Sequence, residues 1–184
     1  MIRISTAFIF LFFILTFSAE GAKFPKHQFG IGGSTISGAG LSYQIDIDRK
    51  YSFRTNGFAY YFGNNPPDDL DMYFVLGGEL QRNLFRQIDQ RFYILLGTSH
   101  WYFEERSLYT ERIGDLIIEN RNSKIDRIWN FGAGAGYEKI ILQRLALSLS
   151  LGFQYQISGE EQFSKFFDRE GFGLAGGIGI RYMF

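Results

Sequence analysis

The sequence feature that most constrains the fold is a strict alternation of apolar and polar or small side chains, with a period of two residues. It is clearest over residues 145–156, where leucine and aromatic residues alternate with alanine, serine, glycine and glutamine. Residues 171–184 repeat the pattern, with large apolar residues on one face and mostly glycine on the other. Successive side chains of a β-strand point to opposite faces of the sheet. Both segments are therefore predicted to be two-faced strands.

Alternating segments of this kind follow one another along the chain and are separated by polar, turn-forming breaks. They predict eight strands, at about residues 28–34, 39–48, 51–62, 72–82, 91–103, 127–139, 145–156 and 171–184. The connections after strands two and six are short, as is the one at Ser37-Gly38, whereas residues 63–71, 104–126 and 158–170 form longer connections. We interpret residues 104–126 as either a long loop or an extended β-hairpin. No stretch has the periodicity of an amphipathic helix of useful length.

The N-terminal segment has the composition of a secretory signal. Arg3 supplies a positive charge, residues 7–17 are almost entirely apolar, and small residues follow at positions 18, 19, 21 and 22. The apolar run is shorter than the roughly 20 residues that a transmembrane helix needs. Residues 1–21 are therefore predicted to be a cleaved signal peptide, with cleavage within residues 18–22, and residues 22–184 to be one domain.

Composition excludes several classes of function. The chain has no cysteine, so disulfides, thiol chemistry and cysteine metal sites are excluded. Its 19 basic and 19 acidic side chains balance, which leaves no overall basic field for nucleic acid. The 22 glycines of 184 residues exceed the usual share of about 7%. Small residues on the polar face would suit a narrow barrel interior.

Alternation by itself fits both a membrane barrel and a soluble, lipocalin-like ligand-binding barrel, in which the leucine face would point inward. In lipid, an open sheet would leave backbone groups unsatisfied, so the membrane form must be closed. Glycine on the polar face and aromatic residues at the strand ends favour the membrane form. The predicted fold is therefore all-β: an eight-stranded antiparallel up-and-down transmembrane β-barrel.

The final strand carries the one motif that resembles a known signal. Gly179, Tyr182 and Phe184 resemble the C-terminal β-signal recognised by the bacterial outer-membrane assembly machinery, although Gly177 stands where that signal often has a polar residue. Residues 22–184 as a whole resemble the small eight-stranded outer-membrane barrel families. The resemblance implies a monomer in the bacterial outer membrane, in contact with lipid and lipopolysaccharide, assembled by that machinery, with its longer connections outside.

Charged residues on the inward faces of the strands are candidate functional residues. In a narrow lumen they are expected to form a hydrogen-bonded ion network that plugs the barrel. A narrow solute pore is the alternative. The predicted network consists of Asp46, Arg54, Glu79, Glu138 and Arg181.

Enzymatic chemistry finds little support. Outer-membrane enzymes that modify lipid A resemble this chain in size and use serine and histidine, and the sequence contains two histidines, His27 and His100. Ser99 directly precedes His100, so the His-x-Ser spacing of the deacylases is absent and the two side chains point to opposite faces. We therefore expect a non-enzymatic protein without catalytic residues, cofactor or metal, with a lipid A-modifying enzyme as the remaining alternative.

The longer connections are the other candidate surface. Apolar residues among their charges could bind an extracellular protein partner, in one case by pairing along the edge of a hairpin. The candidate residues are Tyr109, Ile113, Ile117, Phe163, Phe166 and Phe167. The sequence thus predicts a structural or surface-interaction role.

Overall fold

The computed structural model describes residues 26–65, 69–113, 116–158 and 171–184. The predicted signal peptide and the candidate residues Phe163, Phe166 and Phe167 lie outside these residues. Eight antiparallel strands close into a barrel in chain order. They are β1 (His27–Ser34), β2 (Gly38–Asp46), β3 (Tyr51–Asn65), β4 (Asp69–Arg86), β5 (Gln90–Ile113), β6 (Leu116–Leu142), β7 (Leu145–Ser158) and β8 (Gly171–Met183).

Pairing between the first and last strands closes the ring, from Gln28 opposite Met183 to Ser34 opposite Gly177. The predicted all-β, eight-stranded, antiparallel up-and-down fold is confirmed. We call the end with the short β2–β3, β4–β5 and β6–β7 connections the turn end, and the opposite end the hairpin end. Among the described residues, no helix is long and apolar enough to cross a bilayer.

The two faces of each strand are sorted as a membrane barrel requires. In β7, Ser148 and Ser150 are buried inside, whereas Leu151 and Phe153 are 68% and 65% exposed on the outside. The soluble, lipocalin-like alternative required the leucine face to point inward, and it is wrong on this point. Exposed apolar side chains form most of the outer wall, as on the lipid-facing surface of outer-membrane barrels.

The strands at the hairpin end are longer than the sequence predicted. Pairing between β5 and β6 continues without interruption to Ile113 opposite Leu116, so residues 104–113 and 116–126 pair as an extended hairpin and do not form a long loop. Likewise, β3 and β4 extend into the predicted connection at 63–71, as far as Asn65 opposite Asp69. In these segments charged and apolar residues no longer alternate strictly, so pairing continues where the alternation that marks a strand has ended.

The β1–β2 connection, which the sequence predicted as a short turn, enters the lumen. Thr35, Ile36 and Ser37, which we call the plug, fold into the lumen, where Ile36 is 3% and Ser37 0% exposed. Glycines on the facing strands make room for it: a Cβ atom at Gly77 would lie 2.5 Å from the Ser37 carbonyl oxygen, and one at Gly132 would lie 2.7 Å from Ile36 Cγ1. Gly38, at φ +80°, has the left-handed conformation in which the chain leaves the plug.

Candidate functional site in the barrel lumen

A buried carboxylate, Glu138, lies at the centre of a network of charges near the turn end. Its side chain is fully buried, and its Oε2 atom accepts hydrogen bonds from three guanidinium groups. The distances are 2.5 Å to Arg181 Nη2, 3.1 Å to Arg91 Nη2 and 3.2 Å to Arg54 Nη2. These arginines come from β8, β5 and β3, so the carboxylate of β6 connects four strands across the lumen.

The remaining carboxylates complete the charge balance. Arg54 Nη1 lies 3.0 Å from Glu79 Oε1. Asp46 lies 2.6 Å from Arg86 and 3.6 Å from Arg91. The structure therefore brings together all five residues named from the sequence. With Arg91 we call Asp46, Arg54, Glu79, Glu138 and Arg181 the charged layer.

Arg91 is fully buried, and sequence reasoning missed it. It lies at the predicted start of strand five, where a charged residue suggests a turn. Its position has the same parity as Gly97 and Ser99, which point inward, and that parity is the signal that could have found it.

Neutral side chains accept hydrogen bonds from further N–H groups of the three arginines. The Gln28 Oε1 atom accepts from Arg181 Nε at 3.2 Å, and Gln44 Oε1 accepts from Arg54 Nε at 2.9 Å. Gln81 Oε1 and Ser52 Oγ accept from Arg91 at 3.0 and 2.7 Å. Buried charges are tolerated when they are paired and hydrogen-bonded in this way. The charged layer therefore fills its cross-section with fixed side chains.

The plug forms a second, mostly apolar layer towards the hairpin end. Ile36 packs in a buried cluster with Tyr93, Leu95 and Ala175. Polar contacts fix its backbone, since Asn56 Nδ2 donates to the Ser37 carbonyl at 3.0 Å. The Tyr93 ring joins the two layers, because the guanidinium carbon of Arg91 lies 5.1 Å from its centroid.

Beyond the plug the lumen widens into what we call the outer vestibule, two adjoining cavities of about 420 and 50 Å³ that share Phe103. Thr35 of the plug contributes to the floor of the smaller cavity. The vestibule wall is mainly aromatic, acidic and amide, and it was not identified from the sequence. Its wall residues used below are Tyr73, Trp101, Phe103, Asp126, Asn130 and Gln154.

The assembly-signal residues lie on β8 near the turn end. Gly179 faces the lumen, where a Cβ atom would lie 2.7 Å from Arg181 Nη1. Tyr182 and Phe184 face outward and are 44% and 64% exposed. The candidate partner-binding residues Tyr109, Ile113 and Ile117 lie on the paired strands of the β5–β6 hairpin, towards its tip.

The two histidines lie apart, and neither faces a serine as a catalytic base would. The His100 ring stacks on Trp129 on the outer wall, with centroids 4.2 Å apart, whereas Ser99 faces inward and donates to the Thr35 carbonyl. His27 Nδ1 lies 2.7 Å from the Tyr43 hydroxyl at the turn end. Within the described part of the chain, no group of three or more histidine, cysteine, aspartate or glutamate residues could hold a metal ion.

Some solved structures are similar to this chain at low sequence identity. No protein-family model matches the chain, and no curated protein matches it. The N-terminal β-barrel domain of Pseudomonas aeruginosa OprF is similar to it with a TM-score of 0.45 and 14% identity, over 88% of this chain and 100% of that one. Acinetobacter baumannii CarO is similar with a TM-score of 0.40 and 8% identity, over 87% and 98%. At these values the similarity is one of barrel architecture alone.

Proposed function

We propose that this protein is a monomeric barrel of the bacterial outer membrane with a sealed lumen, and that its role is structural or surface interaction and not enzymatic. The observation that carries the proposal is the combination of an apolar outer wall with a lumen filled at two levels. The wall matches lipid, and the filled lumen leaves the surface at the hairpin end as the part that meets other molecules.

The outer wall supports the membrane location. Aromatic side chains lie at both ends of its apolar band, as the interfacial girdles of outer-membrane barrels do. Trp129, Tyr155 and Phe172 lie towards the hairpin end and are 46%, 41% and 86% exposed. Tyr182 and Phe184 lie towards the turn end. Heating in detergent should shift the mobility of the purified protein on a gel, and a soluble periplasmic protein without such a shift would refute the location.

The two layers favour a sealed barrel over the narrow pore. Ions crossing the lumen would have to pass both the charged layer and the plug. Liposomes loaded with a chloride-sensitive dye should admit chloride no faster with the reconstituted protein than without it. A double variant, Ile36→Gly with Ser37→Gly, should still leave them tight, because the charged layer closes the lumen without the plug. Leakage of small ions through the unaltered protein would contradict the sealed lumen and favour the pore.

The β5–β6 hairpin is the candidate surface for interaction with an extracellular protein. Glu105 and Lys124 are directly opposite each other in its ladder. Residues 106–123 can therefore be replaced by an Asn-Gly turn that joins the two strands in register. The replacement removes Tyr109, Ile113 and Ile117 and retains all ladder pairs nearer the barrel.

Cells that lack the protein, complemented with either form, separate the two roles. If the role is structural, both forms should restore resistance to detergent equally. If it is surface interaction, only the complete hairpin should restore adhesion, and a trimmed form that adheres normally would refute that role for the hairpin. Lipid A should keep its mass on overexpression, and an altered mass would favour the enzyme.

A further inference from the structure

We propose that the outer vestibule is a binding site for a compact organic cation with an amine or guanidinium group. This inference goes beyond the proposed sealed, structural barrel. It rests on three properties of the vestibule wall: its charge, its aromatic faces and its unpaired oxygen atoms.

The charge of the wall is acidic. Four charged side chains project inward around the larger cavity: Asp71, Glu105 and Asp126, which are acidic, and Lys124, which is basic. The carboxylate of the adjacent Glu104 is bound by the Tyr102 hydroxyl, at 2.7 Å, and by Arg106. Unlike the charged layer, where three carboxylates face three guanidinium groups, the vestibule has an excess of negative charge.

Aromatic side chains supply the other part of a cation site. Tyr73 meets Phe103 edge-on at a centroid distance of 4.5 Å and Trp101 at 6.3 Å. Phe58 and Tyr60 border the same cavity and are 46% and 49% exposed. Aromatic faces beside carboxylates attract organic cations, because the ring quadrupole and the negative charge act in the same direction.

Buried oxygen atoms without partners point to a ligand that donates hydrogen bonds. Among the described residues, Asp126 Oδ1, Asn130 Oδ1 and Gln154 Oε1 have no hydrogen-bond partner. Their residues are 3%, 4% and 7% exposed and line the two cavities. The other Asp126 oxygen lies 3.6 Å from Lys124 Nζ, which leaves Oδ1 available. All three atoms are acceptors, and an ammonium or guanidinium group supplies only donors.

The size of the vestibule fits a small molecule and not a polymer. Its larger cavity, of about 420 Å³, falls in the range of small-ligand sites, roughly 300–1,000 Å³. An uncharged polyol could also donate hydrogen bonds and stack on aromatic rings. The excess of carboxylates favours the cation, and the test below separates the two.

The two tryptophans of the chain give a direct measurement. Trp101 lines the vestibule, whereas Trp129 lies on the outer wall against His100. The substitution Trp129→Phe therefore leaves a single emitter in the site. The probes are L-argininamide and L-citrullinamide with acetylated α-amino groups, which have nearly the same shape but differ in the charge of the terminal group.

L-Argininamide should change the Trp101 emission saturably, and L-citrullinamide should bind at least about tenfold more weakly. Asp126→Asn should weaken argininamide binding about tenfold, since it replaces a charged acceptor. Asp89→Asn, in the β4–β5 connection at the opposite end of the barrel, should leave binding unchanged. If Asp126→Asn does not fold, the double variant Asp71→Asn with Glu105→Gln replaces it, since both side chains are exposed.

Three results would overturn the inference: no saturable change in emission, equal affinity for the two probes, or full argininamide affinity in the vestibule variants. Equal affinity would assign the site to uncharged ligands. Each result is independent of liposome tightness, so a barrel that is sealed but does not bind would overturn this inference alone.

Discussion

Replacing Glu138 by glutamine tests whether the charged layer acts as one unit. The substitution preserves shape and removes one negative charge from a fully buried position. Glu138 Oε2 lies 2.5, 3.1 and 3.2 Å from the guanidinium groups of Arg181, Arg91 and Arg54. Its Oε1 atom also accepts from Gln28 Nε2 at 3.1 Å.

The magnitude follows from the charges left behind. Arg54, Arg91 and Arg181 face Asp46, Glu79 and Glu138, and Asp46 is shared with Arg86, so the variant leaves at least one buried positive charge without a counterion. Breaking a buried ion pair by removing one partner costs about 3–5 kcal/mol. With an m-value of about 2 kcal/mol per molar urea, the unfolding midpoint should fall by about 2 M.

The assay is urea titration of the barrel in lipid vesicles, followed by tryptophan emission and by gel mobility without heating. Glu105→Gln, an exposed change of the same chemistry, should alter stability by no more than about 0.5 kcal/mol. A Glu138→Gln variant within about 1 kcal/mol of the unaltered protein would refute the reasoning. It would mean that water or rearranged side chains compensate the arginines.

Three further variants test the packing of the lumen and the last strand. Gly136→Ala should destabilise the barrel by about 1–3 kcal/mol in urea titration, because a Cβ atom would lie 2.5 Å from the Tyr93 hydroxyl. Gly173→Ala, where a Cβ atom would have no other atom within 4 Å, should be nearly neutral. Equal effects of the two substitutions would contradict this packing. Ile36→Ala should lower the free energy of unfolding by about 2–5 kcal/mol in the same titration. Ile88→Ala, in an exposed turn, should lower it only slightly. Equal effects would show that the plug does not stabilise the barrel. Phe184→Ala should lower the amount of heat-modifiable protein in the outer-membrane fraction severalfold, while the purified variant still refolds. Phe172→Ala, at the other end of β8, should assemble normally. Normal assembly of Phe184→Ala would argue against the assembly signal.

Side-chain parity accounts for what could be predicted from the sequence. Once one side chain of a strand is assigned to the inner face, the alternation assigns every remaining side chain of that strand to the inner or the outer face. That assignment placed Asp46, Glu79 and Glu138 on the inner faces of β2, β4 and β6. The structure then brings them together because a barrel of eight strands is too narrow to keep inward side chains of similar height apart.

The plug could not be predicted in the same way, because its position depends on residues far away in the chain. Ile36 fits where Gly97 and Gly132 leave space: Cβ atoms there would lie 2.9 and 2.7 Å from its side chain. Nothing in residues 35–37 distinguishes an inward fold from an ordinary outer turn. The extended hairpin was ambiguous for a different reason. In residues 104–113 and 116–126 charged and apolar residues no longer alternate strictly, although the ladder continues.

The whole-chain charge conceals how the lumen is organised. The 19 basic and 19 acidic side chains cancel, which argues against an overall basic field but does not show where the charges lie. In the barrel the charges separate into two environments on either side of the plug. The charged layer is buried, and an uncompensated charge there would be costly, so its carboxylates and arginines balance. The vestibule, with the exposed side chains of Asp71 and Glu105, can tolerate an excess of carboxylates. The same plug that closes the lumen therefore allows an acidic cavity to exist at one end of a neutral protein.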